Sequence, residues 1–317
     1  MHLSRSAAPL LLAICATALV SARQDQRPAP FRSGARTVAV YATVTDKDGR
    51  LVPDLGREAF AIRDGGKPQP LTVFANEVQP ISIVLLLDRS GSMRGNNGLV
   101  AQAAAAFVER LGPGDKARIG SFADRIEIAP PDFTDDQAVL RRVLQATAMV
   151  TGPTPLWNAI DEGLDALHAQ TARKVVLVFS DGGNSPAALG SGNHSLFDVM
   201  RRAQQDDVMI YAIGLQTTML GGRGAGGMGG LTSQRPDPGL ARIADETGGG
   251  YFELTRGDNL AATFTRVADE LHHQYALGFE PPRLDDKMHT LEVRVTQKGA
   301  KVRARTDYFA GRPSDGR

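Results

Sequence analysis

Between residues 81 and 273 the chain alternates apolar segments of strand length with longer segments of helical periodicity, and no other feature constrains its fold as much. Residues 81–87 form an apolar run, which is typical of a strand buried on both faces. The other strands predicted here span 117–122, 125–128, 174–179, 208–215 and 251–254. The predicted helices span 99–111, 136–146, 155–168, 195–205, 238–247 and 259–272. This order predicts an α/β fold with a doubly wound, mostly parallel sheet that helices cover on both faces.

Strand patterns border this region on both sides. Residues 37–45 alternate between two faces, and strands are predicted again at 275–279, 291–295 and 302–305. Because neither flank is large enough to bury a core alone, we predict that they pack together as a small β-sandwich into which the α/β domain is inserted. Two independent strand extensions of the α/β domain are the alternative. The predicted division is 36–80 and 274–309 for the β domain, 81–273 for the α/β domain and 310–317 for a tail.

The N-terminal residues 1–22 have the features of a cleaved signal peptide. Their apolar stretch is too short to span a bilayer comfortably, and Ser21 and Ala22 suit cleavage directly after them. A retained anchor is the alternative. Residues 23–35 are polar and indicate a disordered linker. We therefore predict an exported protein, periplasmic or secreted, with no membrane span after cleavage.

The cysteine content and the charge exclude several classes of protein. The single cysteine, Cys15, lies in the signal segment, and Ile14 before it disfavours a lipidation site. The mature chain would therefore fold without disulfides. The whole chain has a formal net charge of +1, which falls to about zero once the basic Arg5 is removed with the signal segment. A chain that binds nucleic acid normally has a basic excess or patch, so we predict no nucleic-acid partner.

The main candidate site is the segment Asp88-Arg89-Ser90-Gly91-Ser92, which directly follows the apolar run 81–87. In an open parallel sheet, ligands bind at the carboxyl ends of the strands. One carboxylate and two hydroxyls offer hard oxygen donors there, and Mg²⁺ prefers such ligands. The pattern alone is weak, because the same residue types occur in turns and helix caps.

Two further residues strengthen the prediction of a metal site. Thr154 lies in a loop just before the predicted helix 155–168, and Asp181 directly follows the strand 174–179. Both should therefore lie at the same edge of the sheet as Asp88. Each residue taken separately is explained as a turn former or a helix cap. The complete set, at successive strand ends and helix starts, favours a single site.

This set of residues resembles the metal-ion-dependent adhesion site (MIDAS) of the von Willebrand factor type A (VWA) domain superfamily, and the resemblance covers about residues 81–272. It implies three hydroxyl ligands and two carboxylates that hold the metal, often through water. The hydroxyl ligands are Ser90, Ser92 and Thr154, and the carboxylates are Asp88 and Asp181. Pro153 stands where many relatives have glycine, which stiffens the loop without removing the neighbouring hydroxyl.

The flanks resemble a narrower group, the exported bacterial "VWFA-related" proteins, at residues 40–46, 60–67 and 274–279. The adhesion-site resemblance of residues 81–272, unlike that of the flanks, implies a bound Mg²⁺, with Mn²⁺ or Ca²⁺ as other cations that accept these ligands. It also implies a protein partner that completes the metal shell with an acidic side chain. The chain is therefore interpreted as an exported, cation-dependent adhesion or binding module and not as an enzyme.

Residues 216–238 form a glycine-rich tract after a predicted strand. Its G-x-G-x-x-G match lacks the helix that a dinucleotide site requires directly afterwards, so we predict a flexible loop and no cofactor. Because the preceding strand ends at the carboxyl edge, the loop is hypothesised to lie over the metal. Its candidate ligand-facing residues are Gly221, Arg223, Gly226 and Met228.

Two other function classes remain as alternatives. A Mg²⁺-dependent hydrolase is disfavoured because the sequence has no P-loop, no zinc-binding helix and no nucleophile elbow, and His194 is the best outside candidate for a catalytic base. The second alternative is a structural envelope-assembly protein with an idle metal site. Substitution of Asp88 distinguishes it from an adhesion module, because an adhesion module would lose its partner without unfolding.

Overall fold

The computed structural model describes residues 37–146, 152–185, 192–220, 231–255 and 257–312. The strands are β1 (Val38–Thr45), β2 (Phe60–Asp64), β3 (Lys67–Gln69), β4 (Val73–Ala75), β5 (Ile81–Asp88), β6 (Lys116–Phe122), β7 (Ile126–Thr134), β8 (Arg173–Ser180), β9 (Val208–Leu215), β10 (Thr217–Leu220), β11 (Leu231–Gln234), β12 (Tyr251–Leu254), β13 (Tyr275–Phe279), β14 (Met288–Val295), β15 (Lys301–Arg303) and β16 (Asp307–Phe309). The helices are α1 (Asn97–Val108), α2 (Gln137–Ala146), α3 (Leu156–Leu167), α4 (Leu196–Gln205), α5 (Pro238–Thr247) and α6 (Leu260–His272). The predicted signal peptide 1–22 and linker 23–35 lie outside the described residues.

Six strands form the central sheet, in the order β12-β9-β8-β5-β6-β7. All neighbours in it are parallel except β6 and β7, which are antiparallel. β5 lies inside the sheet and is buried at every position. The predicted doubly wound, mostly parallel sheet is therefore confirmed, with one antiparallel strand at its edge.

Helices cover both faces of this sheet, because alternate residues of a strand point to opposite sides. Ile83 and Leu85 of β5 pack with helices α1, α2 and α6 on one face. Val84 and Leu86 pack with α3, α4 and α5 on the other face. Each such aliphatic side chain contributes roughly 1.5–3 kcal/mol on full burial. A strand that is apolar on both faces is thus stable only between two helical layers. The run 81–87 predicted this position for β5.

The flanks form two four-stranded antiparallel sheets, ordered β15-β1-β13-β4 and β16-β14-β2-β3. Each sheet joins strands from both ends of the chain. β1 pairs with β13 from Val38↔Phe279 to Ala42↔Tyr275, and β14 pairs with β2 from Leu291↔Asp64 to Val295↔Phe60. The two sheets share one apolar core. The predicted sandwich with an inserted α/β domain is confirmed, and the alternative of two independent extensions is wrong.

The glycine-rich tract differs from the flexible loop that we predicted. β10 and β11 pair as an antiparallel hairpin from Thr217↔Gln234 to Leu220↔Leu231. The hairpin begins two residues after β9, so it leaves the sheet at the carboxyl edge, as expected. The threonines and leucines at both ends of the tract favour this pairing, because branched and bulky side chains suit strands.

No helix in the described ranges has the length and apolar character needed to cross a membrane.

Candidate metal site

Two buried carboxylates lie at the carboxyl edge of the central sheet. Asp88 is the last residue of β5, and Asp181 directly follows Ser180, the last residue of β8. β5 and β8 are neighbouring parallel strands, so both carboxylates emerge at the same edge. Neither aspartate is accessible to solvent.

A continuous hydrogen-bond network joins these aspartates through the serines of the first motif. The Ser90 N–H donates to Asp88 Oδ1 at 2.8 Å. Ser92 Oγ donates to Asp181 Oδ1 at 2.7 Å and lies 3.0 Å from Ser90 Oγ. The structure therefore brings together four of the five residues that the sequence nominated as metal ligands.

Local structure explains how the serines reach this position. Asp88 Oδ2 accepts a hydrogen bond from Ser180 Oγ at 2.6 Å, so the last residue of β8 orients the last residue of β5. After Ser90 the chain turns sharply in the 3₁₀ helix Gly91–Gly95. Met93 in this turn is fully buried and anchors the loop to the core. Sequence analysis missed Ser180, although its place before Asp181 at a strand end was a usable signal.

Thr154, the fifth nominated residue, is not hydrogen-bonded to this network. Its carbonyl accepts the Ser185 N–H at 2.8 Å, which ties its loop to the loop that carries Asp181. In the described part of the chain, no hydrogen bond joins the Thr154 hydroxyl to the other four residues. A Cβ atom on Gly152 would lie 2.8 Å from Asp124 N, so this loop packs where only glycine fits. Thr154 is buried just before helix α3, as predicted.

Burial disfavours the ionised form of both carboxylates. It is the main cause that raises the pKa of Asp181 to about 6, and the charge of Asp88 acts in the same direction. Burial also raises the pKa of Asp88, against the hydrogen bonds from Ser180 and Ser90 and the charge of Arg89. No ion pair within the described ranges neutralises either aspartate. A cation between them would remove this penalty.

Unpartnered polar atoms are concentrated at the same edge. Asp181 Oδ2 is buried and has no hydrogen-bond partner. The same holds for Arg89 Nε and Nη2, for both amide atoms of Asn97 and for Thr217 Oγ1. Buried polar groups are nearly always paired, so each of these atoms requires an explanation, such as an ion, a water or a ligand. Sequence analysis missed Arg89, Asn97 and Thr217 because only the fold reveals that they are buried.

The donor set fits a hard divalent cation. It consists of two carboxylates and hydroxyl oxygens, which are the ligand types that Mg²⁺, Mn²⁺ and Ca²⁺ accept. Over the described ranges, no cluster of three or more histidine, cysteine or acidic side chains has a metal-binding arrangement. A cation at this edge would therefore depend on the serine and threonine hydroxyls and on water.

The remaining nominated residues do not join the network. Gly221, Arg223, Gly226 and Met228 lie outside the described residues, so the hypothesis that their loop covers the metal stays a prediction. His194 is half-exposed, and its Nε2 lies 3.5 Å from Asp161 Oδ2 on helix α3. It therefore contacts a helix carboxylate and none of the serines.

The family that matches this chain covers the α/β domain. The model of the von Willebrand factor type A domain family matches residues 82–266, more than half of the 317 residues. No curated protein matched the chain in sequence.

Several solved structures are similar at low sequence identity. A von Willebrand factor type A protein from Catenulispora acidiphila is 12% identical, with a TM-score of 0.48 over 88% of this chain and 75% of that chain. An aerotolerance-related membrane protein from Bacteroides fragilis is 17% identical, with a TM-score of 0.48 over 60% of this chain and 98% of that chain. Proximal thread matrix protein 1 from the mussel byssus, with a zinc-occupied MIDAS motif, is 18% identical, with a TM-score of 0.49 over 66% of this chain and 49% of that chain.

Proposed function

This chain belongs to the von Willebrand factor type A domain family, and we propose that it acts there as an exported, divalent-cation-dependent module that binds a carboxylate of a protein partner. Within the family we assign it to the exported bacterial VWFA-related group, because of the resemblance of residues 40–46, 60–67 and 274–279. Export rests on the signal-peptide features of residues 1–22.

The observation that carries this proposal is the hydrogen-bonded set Asp88, Ser90, Ser92 and Asp181 with an unpartnered, fully buried carboxylate oxygen on Asp181. An orphaned anionic oxygen of this kind costs free energy unless a cation or donor meets it. Ser90, Ser92 and Thr154 would hold Mg²⁺ through their hydroxyls, and Asp88 and Asp181 would hold it mainly through water. A metal held in this way supplies Lewis acidity toward a further anionic ligand.

The chain's own residues prepare the site for that task. Ser180 orients Asp88, and Ser92 orients Asp181, so both carboxylates are directed before a cation arrives. Because three of the proposed ligands are neutral hydroxyls, little negative charge would reach the metal directly. A carboxylate from the partner would then bind the metal at a coordination position that the two aspartates leave free.

We propose no catalytic activity for this edge. VWA domains are generally non-catalytic interaction modules, and the serines of the network contact aspartates and one another. A nucleophilic serine requires an adjacent base. The half-exposed His194 contacts Asp161 instead, which does not support the hydrolase alternative.

The test is thermal unfolding of the purified protein in EDTA and with Mg²⁺, Mn²⁺ or Ca²⁺, beside Asp88→Asn and Asp181→Asn. A cation at 100 times its dissociation constant stabilises the folded state by about 2.7 kcal/mol. The wild type should respond to at least one cation, and neither variant should. Asp161→Asn is the matched control, because Asp161 is also a buried aspartate but lies outside the network. A wild type without any cation response at millimolar concentrations would refute the proposal.

A further inference from the structure

A pocket of about 430 Å³ opens directly beside Ser92 at the carboxyl edge of the sheet. It lies between the start of α1 and the start of α6, which cover the same face of the sheet. The leucines in its lining are Leu99, Leu215, Leu254 and Leu260. Its volume falls within the range of roughly 300–1,000 Å³ that is typical of ligand pockets. The pocket is therefore large enough to enclose a bulky side chain.

Two exposed large apolar side chains lie at the carboxyl edge of the sheet. Among the described residues, the large hydrophobic side chains that are mostly exposed are Val78, Leu99 and Phe197. Leu99 and Phe197 lie in the first turns of α1 and α4, which both begin at the carboxyl edge. Only Val78 lies elsewhere, before the first residue of β5. Of these residues only Leu99 lines the pocket, so this exposed leucine extends the apolar lining of the pocket to the surface.

The pocket also contains a polar atom that no neighbour satisfies. Thr217 lines the pocket, and its buried Oγ1 has no hydrogen-bond partner. Thr217 lies just after β9, next to Gln216, whose N–H is bonded to Leu254 O at 2.8 Å. A peptide group of an incoming chain can supply the missing partner.

We propose that this pocket is a second subsite of the binding face and takes a bulky apolar side chain of the partner, next to the acidic residue that binds the metal. The inference rests on the proposed function. It follows from the shared residue Ser92, which belongs both to the aspartate network and to the pocket wall. A ligand that fills both places is one continuous segment with an Asp or Glu and a Leu, Ile, Met or Phe close in sequence.

The charges around the pocket favour this occupant over an anionic small molecule. The described lining residues include the acidic Asp258 but neither lysine nor arginine. The Asp258 carboxylate is already bonded to the Thr255 N–H and hydroxyl. An anionic headgroup would therefore find no counter-charge among the described lining residues, whereas an apolar side chain needs none.

The experiment is a selection from a random twelve-residue peptide library displayed on phage, with the purified protein in Mg²⁺ and elution by EDTA. We expect the enriched peptides to share an acidic residue and a bulky apolar residue at a constant spacing. In a synthetic peptide of this sequence, replacement of the apolar residue by serine should weaken binding about tenfold or more. Replacement of the acidic residue by its amide should abolish Mg²⁺-dependent binding.

Variants of the protein locate the subsite. Leu99→Ser should reduce the affinity for the selected peptide about tenfold and leave the affinity for its serine version nearly unchanged. Thr217→Val, which keeps the shape and removes the hydroxyl, should have a smaller effect that is similar for the selected peptide and its serine version, because the hydroxyl would meet a peptide group. Val78→Ser is the matched control, because Val78 is as exposed as Leu99 but lies at the opposite edge of the sheet. Both exposed positions should tolerate the change without unfolding, which melting in Mg²⁺ verifies.

The outcomes separate the subsite from the metal site. Enrichment of acidic peptides without an apolar preference, or an apolar preference that Leu99→Ser leaves intact, overturns the subsite and leaves the proposed function standing. If no peptide is enriched in a Mg²⁺-dependent manner, the proposed function fails and the subsite fails with it.

Discussion

The two edges of the central sheet differ in how their buried acidic side chains are paired. Near the amino edge, where the sandwich is attached, Asp115 accepts hydrogen bonds from the Ile81 and Gly112 N–H groups at 2.9 and 2.8 Å, and His272 Nε2 lies 2.7 Å from it. Glu270 of α6, also buried, is paired with Arg303 of the sandwich. At the carboxyl edge, the buried Asp181 carboxylate has no such pairing and its Oδ2 has no partner; guanidinium nitrogens are unpaired at both edges, in Arg89 on one side and in Arg173 and Arg303 on the other.

This difference indicates separate roles for the two edges. Buried charges that are paired hold the α/β domain against the sandwich, as Arg173 also does through Gln274 Oε1 at 3.0 Å. Gln274 in turn donates to Thr43 of β1 at 2.9 Å, so this network crosses from one domain to the other. An unpaired buried carboxylate reduces stability unless a ligand satisfies it. The pairing at the amino edge therefore indicates a structural role there, and the unpaired carboxylate is consistent with the binding role that we propose for the carboxyl edge.

The largest effect is expected from neutralising a paired charge at the amino edge. Glu270→Gln leaves the partly exposed Arg303 without its buried partner, and the cost should approach but not exceed that of breaking a fully buried pair, which is about 3–5 kcal/mol. Urea denaturation measures the loss in free energy of unfolding. Glu292→Gln is the control, because its pair with Arg294 is exposed and should contribute less than about 1 kcal/mol. Equal losses in the two variants would contradict the structural role of the amino edge.

A smaller effect is expected from pH at the carboxyl edge. The pKa of Asp181 is raised to about 6, and a metal requires the ionised carboxylate. Metal affinity should therefore be nearly constant above this pKa and fall about tenfold for each pH unit below it. Calorimetric titration with Mg²⁺ at about pH 7 and about pH 5 measures the change. An affinity that is the same at both pH values would show that Asp181 does not take part.

A third prediction concerns a histidine of the sandwich. His289 Nε2 lies 2.9 Å from Asp285 Oδ1 and Nδ1 lies 3.3 Å from Asp64 Oδ1, and these contacts, first that with Asp285, raise the pKa of His289. The resulting stabilisation is complete below the unfolded histidine pKa of about 6.5 and is lost as pH rises through the folded value.

Between about pH 6 and pH 9, the wild type should therefore lose on the order of 1 kcal/mol more than His289→Gln. Denaturant midpoints of both proteins across this range measure the difference. Parallel pH profiles would mean that the charged histidine does not stabilise the sandwich.

The smallest effect is expected when a buried acidic side chain is neutralised at the carboxyl edge, in the metal-free protein. Asp181→Asn in EDTA should leave the free energy of unfolding at about pH 7 unchanged or raise it slightly. The reason is that burial disfavours the ionised carboxylate, whose folded pKa of about 6 lies above the ordinary aspartate value of 3.8. A loss well above 1 kcal/mol would show that Asp181 has a structural role and would remove the contrast between the two edges.

Local patterns were sufficient to predict much of this molecule. The run 81–87 predicted a strand buried on both faces, and β5 is buried throughout. Asp88, Ser90, Ser92 and Asp181 could be nominated because each stands at or just after a strand end, and parallel strands end at one edge. The hairpin β10–β11 was mistaken for a loop, because its strands are short and the glycines between them dominate the composition.

The sequence by itself determined the order and type of the elements and the chemical types of the proposed metal ligands. Each of these depends on residues that lie within a few positions of one another. Only the tertiary structure decided which distant groups meet. The pairing of Val38 with Phe279, the burial of Arg89 and the pocket that joins Leu99 to Leu260 all depend on strand register and helix docking. These arise from the whole core packing at once, so no local pattern encodes whether a given polar atom finds a partner or is left for a ligand.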